Sequence, residues 1–239
     1  SGPASIANIV SRVTGPDASS IDGVLRSTIA GANLFLVNPR GIVFGPNASL
    51  DLTGSFHATT ASYLRFADGT RFDANATVPA SLSVAPPEAF GFLGTEGRID
   101  VDGARLSVAR GRSLSLVGRD IGVGAAAQLR VLGGDLWLTA MSGGEALLDG
   151  TLGANAVAGG AIAIVDASLL RNGSSGPTPA GRIVIRGGRL DVVDAQIVSR
   201  NAAVAAAGEI SVGVAGSVNL DNAAVVSIAA GSGRGADVR

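Results

Sequence analysis

Chemistry in this chain would have to pass through very few side chains. There is one histidine, His57, in the run Ser55-Phe56-His57-Ala58-Thr59-Thr60, and there is no cysteine. Any Ser-His-Asp device must use His57, yet no nucleophile-elbow signature occurs anywhere, so His57 reads as a structural or surface histidine. Zinc lacks ligands of the usual type and spacing, and disulfides and thiolate sites are excluded. Carboxylates are the remaining source, because several Asp converging on one face can hold Ca²⁺ or act as paired acid and base. The candidates are Asp100 with Asp102, Asp191 with Asp194, and the isolated Asp120, Asp135, Asp149 and Asp166. Asp100 and Asp102 share a strand face and would stack near Asp120 of the next repeat. Outward Asp of this kind is ordinarily solubilising, so no catalytic residue is assigned. Gly122-Val123-Gly124-Ala125-Ala126-Ala127 has the composition of a dinucleotide loop, but a strand, not a helix, follows at Leu129. That excludes the nucleotide reading, and no cofactor or metal is expected.

The elements that carry these residues are short strands. From Arg98 onward, Ile99/Val101, Leu106/Val108, Leu114/Leu116, Ile121/Val123, Leu129/Val131 and Leu136/Leu138 are apolar pairs with one residue between. Period two places both members on one face of a strand. Every third pair returns after 22 or 23 residues, as from Ile99 to Ile121 or Leu106 to Leu129. Such a period suits three short strands joined by tight corners, the geometry of an all-β, right-handed parallel β-helix with three strands per coil. After an interruption the pattern resumes at Ile183/Ile185, Leu190/Val192 and Ile197/Ser199, then Ile210/Val212, Val218/Leu220 and Val225/Ser227. The coil is 27 or 28 residues here, the extra length falling in an Ala-rich corner at residues 200–208. Residues 171–179 read as a loop bulging from a corner, and helix is a poor alternative given the period of two and the frequent Gly.

Composition agrees. With 35 Gly and 4% aromatics the core must be built from small and branched aliphatics, and 46% hydrophobic residues suffice for one. Burial of Ile, Leu and Val between coils outweighs what scattered surface charges such as Asp100, Asp102, Arg105, Arg186, Asp191 and Asp194 contribute. All 18 basic residues are Arg, the net charge is −1, and no basic run forms, so nucleic-acid binding is not expected. No apolar run reaches the roughly 18 residues of a membrane-spanning helix. Asn47-Ala48-Ser49, Asn75-Ala76-Thr77 and Asn172-Gly173-Ser174 match glycosylation sequons by composition alone. Residues 231–239 look like the start of a further coil.

One stretch carries more than fold. In Leu34-Phe35-Leu36-Val37-Asn38-Pro39-Arg40-Gly41-Ile42-Val43-Phe44-Gly45-Pro46-Asn47, two apolar strands flank an Asn-Pro-Arg-Gly corner. Pro39 sets φ, Gly41 permits a positive φ, and the Asn38 side chain can tie backbone amides. This corner resembles the Asn-Pro-Asn-Gly-Ile segment of the filamentous-haemagglutinin family, large exoproteins exported by two-partner secretion. The likeness extends over Ile6-Ala7-Asn8-Ile9-Val10-Ser11-Arg12-Val13-Thr14-Gly15, Ser20-Ile21-Asp22-Gly23 and Phe56-His57-Ala58-Thr59-Thr60-Ala61, with an echo at Pro87-Glu88-Ala89-Phe90-Gly91-Phe92-Leu93-Gly94. Arg40 stands where the family has a second Asn, and Ser1-Gly2-Pro3-Ala4 stands near the place of its Asn-Pro-Asn-Leu motif.

The resemblance implies a secretion-domain-like part at residues 1–95 and a repetitive shaft at 96–239, continuous with it. It implies a non-enzymatic segment of a secreted adhesin, with Asn38, Pro39, Gly41 and Ile42 as the transporter-recognition or turn motif. The expected partner is an outer-membrane two-partner-secretion transporter acting through its periplasmic domains, and absence of cysteine suits threading through the periplasm. Host or neighbouring-cell surface ligands and end-to-end self-association are further expected partners, the chain being read as part of a longer exoprotein. The alternatives are a filament subunit stacking through open ends and a carboxylate-based, polysaccharide-active β-helix enzyme.

Overall fold

A computed structural model describes residues 6–75, 81 and 83–239. The Ser1-Gly2-Pro3-Ala4 stretch and the end of the Asn75 sequon lie outside the described residues. Among the described residues there is no helix, and strands account for all regular structure. Three parallel sheets are visited in turn, the arrangement of a parallel β-helix. The first stacks Asn8–Arg12, Asn33–Val37, Phe56–Thr59, Leu114–Gly118, Leu136–Ala140, Ile183–Gly187 and Ile210–Val214. The second stacks Ser19–Ile21, Ile42–Phe44, Ile99–Asp102, Ile121–Gly124, Ala161–Ile164, Arg189–Val193 and Val218–Asp221. The third stacks Arg105–Ser107, Gln128–Leu132, Leu169–Gly173, Gln196–Asn201 and Ala224–Ala229, beside a separate pair, Val24–Arg26 and Ser49–Asp51.

Register follows the apolar columns. Leu34, Phe56, Leu114, Leu136, Ile183 and Ile210 are successive partners in the first sheet. Ile42, Ile99, Ile121, Ile162, Leu190 and Val218 are successive partners in the second. Leu106, Leu129, Leu170, Ile197 and Val225 do the same in the third. Because a one-residue slip would turn each column inside out, burial fixes the pairing. Ile99 with Ile121, Leu106 with Leu129 and Ile183 with Ile210, the repeats of the sequence, are direct partners. The expected interruption before Ile183 is corrected: Ala161–Ile164 and Leu169–Gly173 continue the stack there. Their alternation uses Ala, Asn and Gly at alternate places, which weakens the apolar signal. The loop expected at residues 171–179 starts later, since Arg171, Asn172 and Gly173 belong to a strand and the excursion spans residues 174–182; Val238 bridges to Ile210 at the far edge of the first sheet. Arg186, expected in the solvated shell, is half-buried and donates to the Ser211 carbonyl and hydroxyl.

Two insertions leave the stack and meet outside it. Tyr63–Phe66, Arg71–Asp73 and Pro87–Phe92 from one, and Gly144–Leu147 from the other, form a four-stranded antiparallel sheet. Phe66, Phe72, Phe90, Phe92 and Met141 form a second core with Phe35 and Val117, on the outward face of the first sheet. Tyr63 donates to Glu145 Oε1 at 3.0 Å and Arg65 donates to Oε2 at 3.0 Å, joining the insertions. The Tyr63 ring lies flat over Gly91, where an added Cβ would sit 1.9 Å from it.

One interior column predicts a stability change. Ala104, Ala127, Ser168, Ala195 and Ala223 precede the third-sheet strands, and Ala48 precedes Ser49–Asp51 of the separate pair, all linked by backbone hydrogen bonds from one circuit to the next. Ser168 is 1% exposed, and its hydroxyl has no partner where every neighbour in the column is Ala. Ser168→Ala should raise stability by about 1 kcal/mol, since it removes a desolvated, unpaired hydroxyl. Urea unfolding of the two chains checks this; a loss of stability would show that the hydroxyl has a partner in solution.

Candidate functional site

The Asn-Pro-Arg-Gly corner joins the first sheet to the second, between circuits on either side. Asn38 is fully buried. Its Nδ2 donates to the Asp17 carbonyl at 3.1 Å and the Ser19 hydroxyl at 2.8 Å, and its Oδ1 accepts from the Arg40 amide at 2.9 Å. The Asn38 amide donates to the Thr59 carbonyl at 3.0 Å. One side chain therefore holds its own turn and the preceding circuit, while its backbone holds the following one. The Pro39 carbonyl accepts from the Gly97 amide at 2.7 Å. Gly41 has φ +125°, a conformation reserved for Gly, and an added Cβ would meet the Arg98 carbonyl at 3.1 Å. Ile42 is fully buried in the interior column, and its amide donates to the Arg98 carbonyl at 3.1 Å. The structure thus gathers Asn38, Pro39, Gly41 and Ile42 into one corner. Its surface consists of half-buried Pro39 and exposed Arg40.

Sequence reasoning missed two comparable asparagines. Asn172 donates to the Gly134 and Arg182 carbonyls at 2.9 and 3.1 Å, tying the bulge at residues 174–182 to the stack. Asn201 donates to the Ala205 and Arg234 carbonyls and accepts from the Ala180 and Ala203 amides, linking three circuits. A buried Asn at an inward place of a third-sheet strand, two residues after Leu170 in one case and after Ser199 in the other, was the available signal.

The carboxylates are spread and engaged. Asp100 faces outward beside Arg98 at 2.7 Å. Burial pushes its carboxyl up, opposed by Arg98, with Asp102 and Asp120 adding to the rise. Asp120 Oδ1 accepts from the Ala161 amide at 2.7 Å. Asp135 accepts from the Arg182 amide and guanidinium, both at 2.7 Å. Asp191 pairs with Arg189 at 2.6 Å, a hydrogen bond that holds its carboxyl below the usual range. Asp194 accepts from Asn222 Nδ2, Asp149 accepts from Thr151, and Asp166 occupies a corner at φ +56°. Among the described residues no three His, Asp or Glu are grouped to hold a metal ion.

His57 sits under the antiparallel sheet. It is 6% exposed, stacks on Phe35 with centroids 4.6 Å apart, and shares a 2.7 Å hydrogen bond between Nδ1 and Ser115 Oγ. Ser115 and Trp137 follow it in register along the outward face. Burial lowers its pKa to about 4 from 6.5, so the imidazole is neutral in the fold. The unfolded chain takes up this proton below pH 6.5 and the folded chain resists it until about pH 4. Stability contributed by neutral His57 is therefore complete above pH 6.5 and lost as pH falls towards about 4, by about 3 kcal/mol in all. His57→Gln should flatten the unfolding free energy across that window by one proton relative to the parent. Urea titrations from pH 4 to 7 measure it, and equal slopes in both chains would place the proton elsewhere.

Comparison with known proteins gives one family. A family model described as the TPS secretion domain matches residues 1–234, spanning the corner, the antiparallel sheet and nearly the whole stack. No curated protein and no solved structure matches the chain. The chain belongs to the TPS secretion-domain family, that of two-partner-secretion exoproteins of the filamentous-haemagglutinin type.

Proposed function

We propose that this chain is the non-enzymatic secretion segment of a bacterial adhesin, exported through an outer-membrane transporter whose periplasmic domains receive it. The observation that carries the reading is the family match over residues 1–234, in a chain whose parallel sheets form one continuous stack. In this reading the stack is a right-handed β-helix of three strands per coil. Residues 1–95 supply the secretion-domain-like part with the Asn38 corner, and residues 96–239 the start of the shaft. The adhesive role and any contact with host or neighbouring-cell ligands belong to the whole exoprotein. Dispersed carboxylates, held by arginines or backbone amides, support a structural role and not a polysaccharide-cleaving one.

The corner fits two stages of one process. Once folded, Asn38, Gly41 and Ile42 have no surface to offer, so a transporter meeting them must meet an unfolded chain. After export the same residues close the second circuit onto the first and third. Replacing Asn38 strips partners from the Ser19 hydroxyl, the Asp17 carbonyl and the Arg40 amide, and should cost about 2 kcal/mol.

The test is export of the parent protein from cells with and without the cognate transporter, beside Asn38→Ala and Gly41→Ala. Each purified variant is also melted. Transporter-dependent appearance in the medium is expected, and transporter-independent appearance overturns the reading. Export lost in step with the melting temperature assigns the corner to folding; export lost with an unchanged melt assigns it to recognition.

A further inference from the structure

Folding assembles a basic face that the linear sequence does not show. The five strands of the third sheet contain Arg105, Arg130, Arg171 and Arg200 and no acidic residue. All four are on the outward side, since Leu106, Leu129, Leu170 and Ile197 fill the interior column. Among the described residues none of the four guanidinium groups has an ion pair or a hydrogen bond. Several arginines elsewhere are matched, Arg26 with Asp51 at 2.7 Å, Arg98 with Asp100 at 2.7 Å, Arg65 with Glu145 at 3.0 Å and Arg189 with Asp191 at 2.6 Å, while Arg40, Arg110 and Arg112 stand singly and, among the described residues, without an ion pair. Arg130 and Arg171 are direct cross-strand partners, an arrangement that repels unless an anion lies over it. Arg171 Nε is buried and without a partner. The corners leading into the strands of these arginines carry Asp102, Asp166 and Asp194, none of them paired with the four arginines, and Asp194 accepts from Asn222.

The same face is apolar where it is not basic. A groove of about 310 Å³ has Arg171 and Arg200 beside Leu169, Val198, Val226 and Ile228. Val226 is 37% and Ile228 40% exposed. Five strands spaced by about 4.8 Å make a surface roughly 20 Å across. Guanidinium groups beside outward aliphatics suit a partner that is anionic and apolar within one plane. A hydrated polyanion would neutralise the arginines but leave Val198, Val226 and Ile228 against water, whereas a lipid surface covers both.

We propose that the outward face of the third sheet docks on an anionic lipid surface, arginines on headgroup phosphates and the aliphatics at the interface. Each basic residue held near such a surface adds to the attraction within a Debye length, and buried apolar area adds the remainder.

The purified chain is floated with vesicles of phosphatidylcholine alone and with vesicles containing phosphatidylglycerol, at low and high salt. Binding only to the anionic vesicles, weakened by salt, is expected. The Arg130→Gln/Arg171→Gln variant should partition more than about tenfold less, and the Val226→Ser/Ile228→Ser variant should also bind less. Arg98→Gln, just before the second-sheet strand Ile99–Asp102, should bind as the parent does. Equal binding to both vesicle types, unchanged binding by the double arginine variant, or capture of dextran sulfate without vesicle binding overturns the proposal. Because the salt and lipid series use the unaltered chain, the reading stands or falls even if a variant misfolds, and independently of export.

Discussion

A parallel stack of short strands depends on what happens to backbone amides at its corners. Strand ladders satisfy amides within each sheet, but the chain must leave one sheet and enter the next every few residues, and buried amides there need acceptors. At the entry to the first sheet this chain meets the need with a relay. Asn33 Oδ1 accepts from the Ser55 amide, Ser55 Oγ from the Ser113 amide, Ser113 Oγ from the Asp135 amide, and Asp135 Oδ1 from the Arg182 amide. Each short polar side chain thus pins the start of the next circuit directly above its own. Gly54 and Gly134 precede two of these residues, because a Cβ there would lie 2.0 and 2.1 Å from the carbonyl of the circuit beneath. The apolar columns inside and the outward faces inherit their register from these points.

Asn38 solves the same problem at a different corner, with more partners. It binds a carbonyl, a hydroxyl and an amide, and so couples segments that are remote in sequence. Asp135, weighed first as a candidate for chemistry, is a corner residue too. The polar side chains most able to do chemistry in this chain are largely those that hold the turns. His57 differs: burial holds it neutral, and stacked on Phe35 it belongs to the packing between the stack and the antiparallel sheet.

What was legible in the sequence was whatever repeats. Period-two apolar pairs at regular spacing gave strand partners down to the residue, as Leu114 with Leu136 shows. The Asn-Pro-Arg-Gly corner was legible because Pro and Gly have narrow conformational meaning. The antiparallel sheet was not, because it forms from insertions that occur once each and pair at a distance, Phe90 with Ala146. Ala161–Ile164 was missed because its small residues weaken the alternation. The basic face was invisible for another reason. Its arginines are 25 to 41 residues apart in sequence, and only the register of the third sheet brings them together.

The outer sheet also imposes an order in time. Its strands Tyr63–Phe66 and Pro87–Phe92 are complete well before Gly144–Leu147 exists, yet Phe90 and Phe92 are covered by a core that includes Met141 and Ala146. A chain emerging from its N-terminal end must hold that aromatic surface open to water until the second insertion arrives. Any arrest between residues 92 and 144 leaves a sticky half-sheet, and the hydrogen bond between Tyr63 and Glu145 marks the moment at which waiting ends.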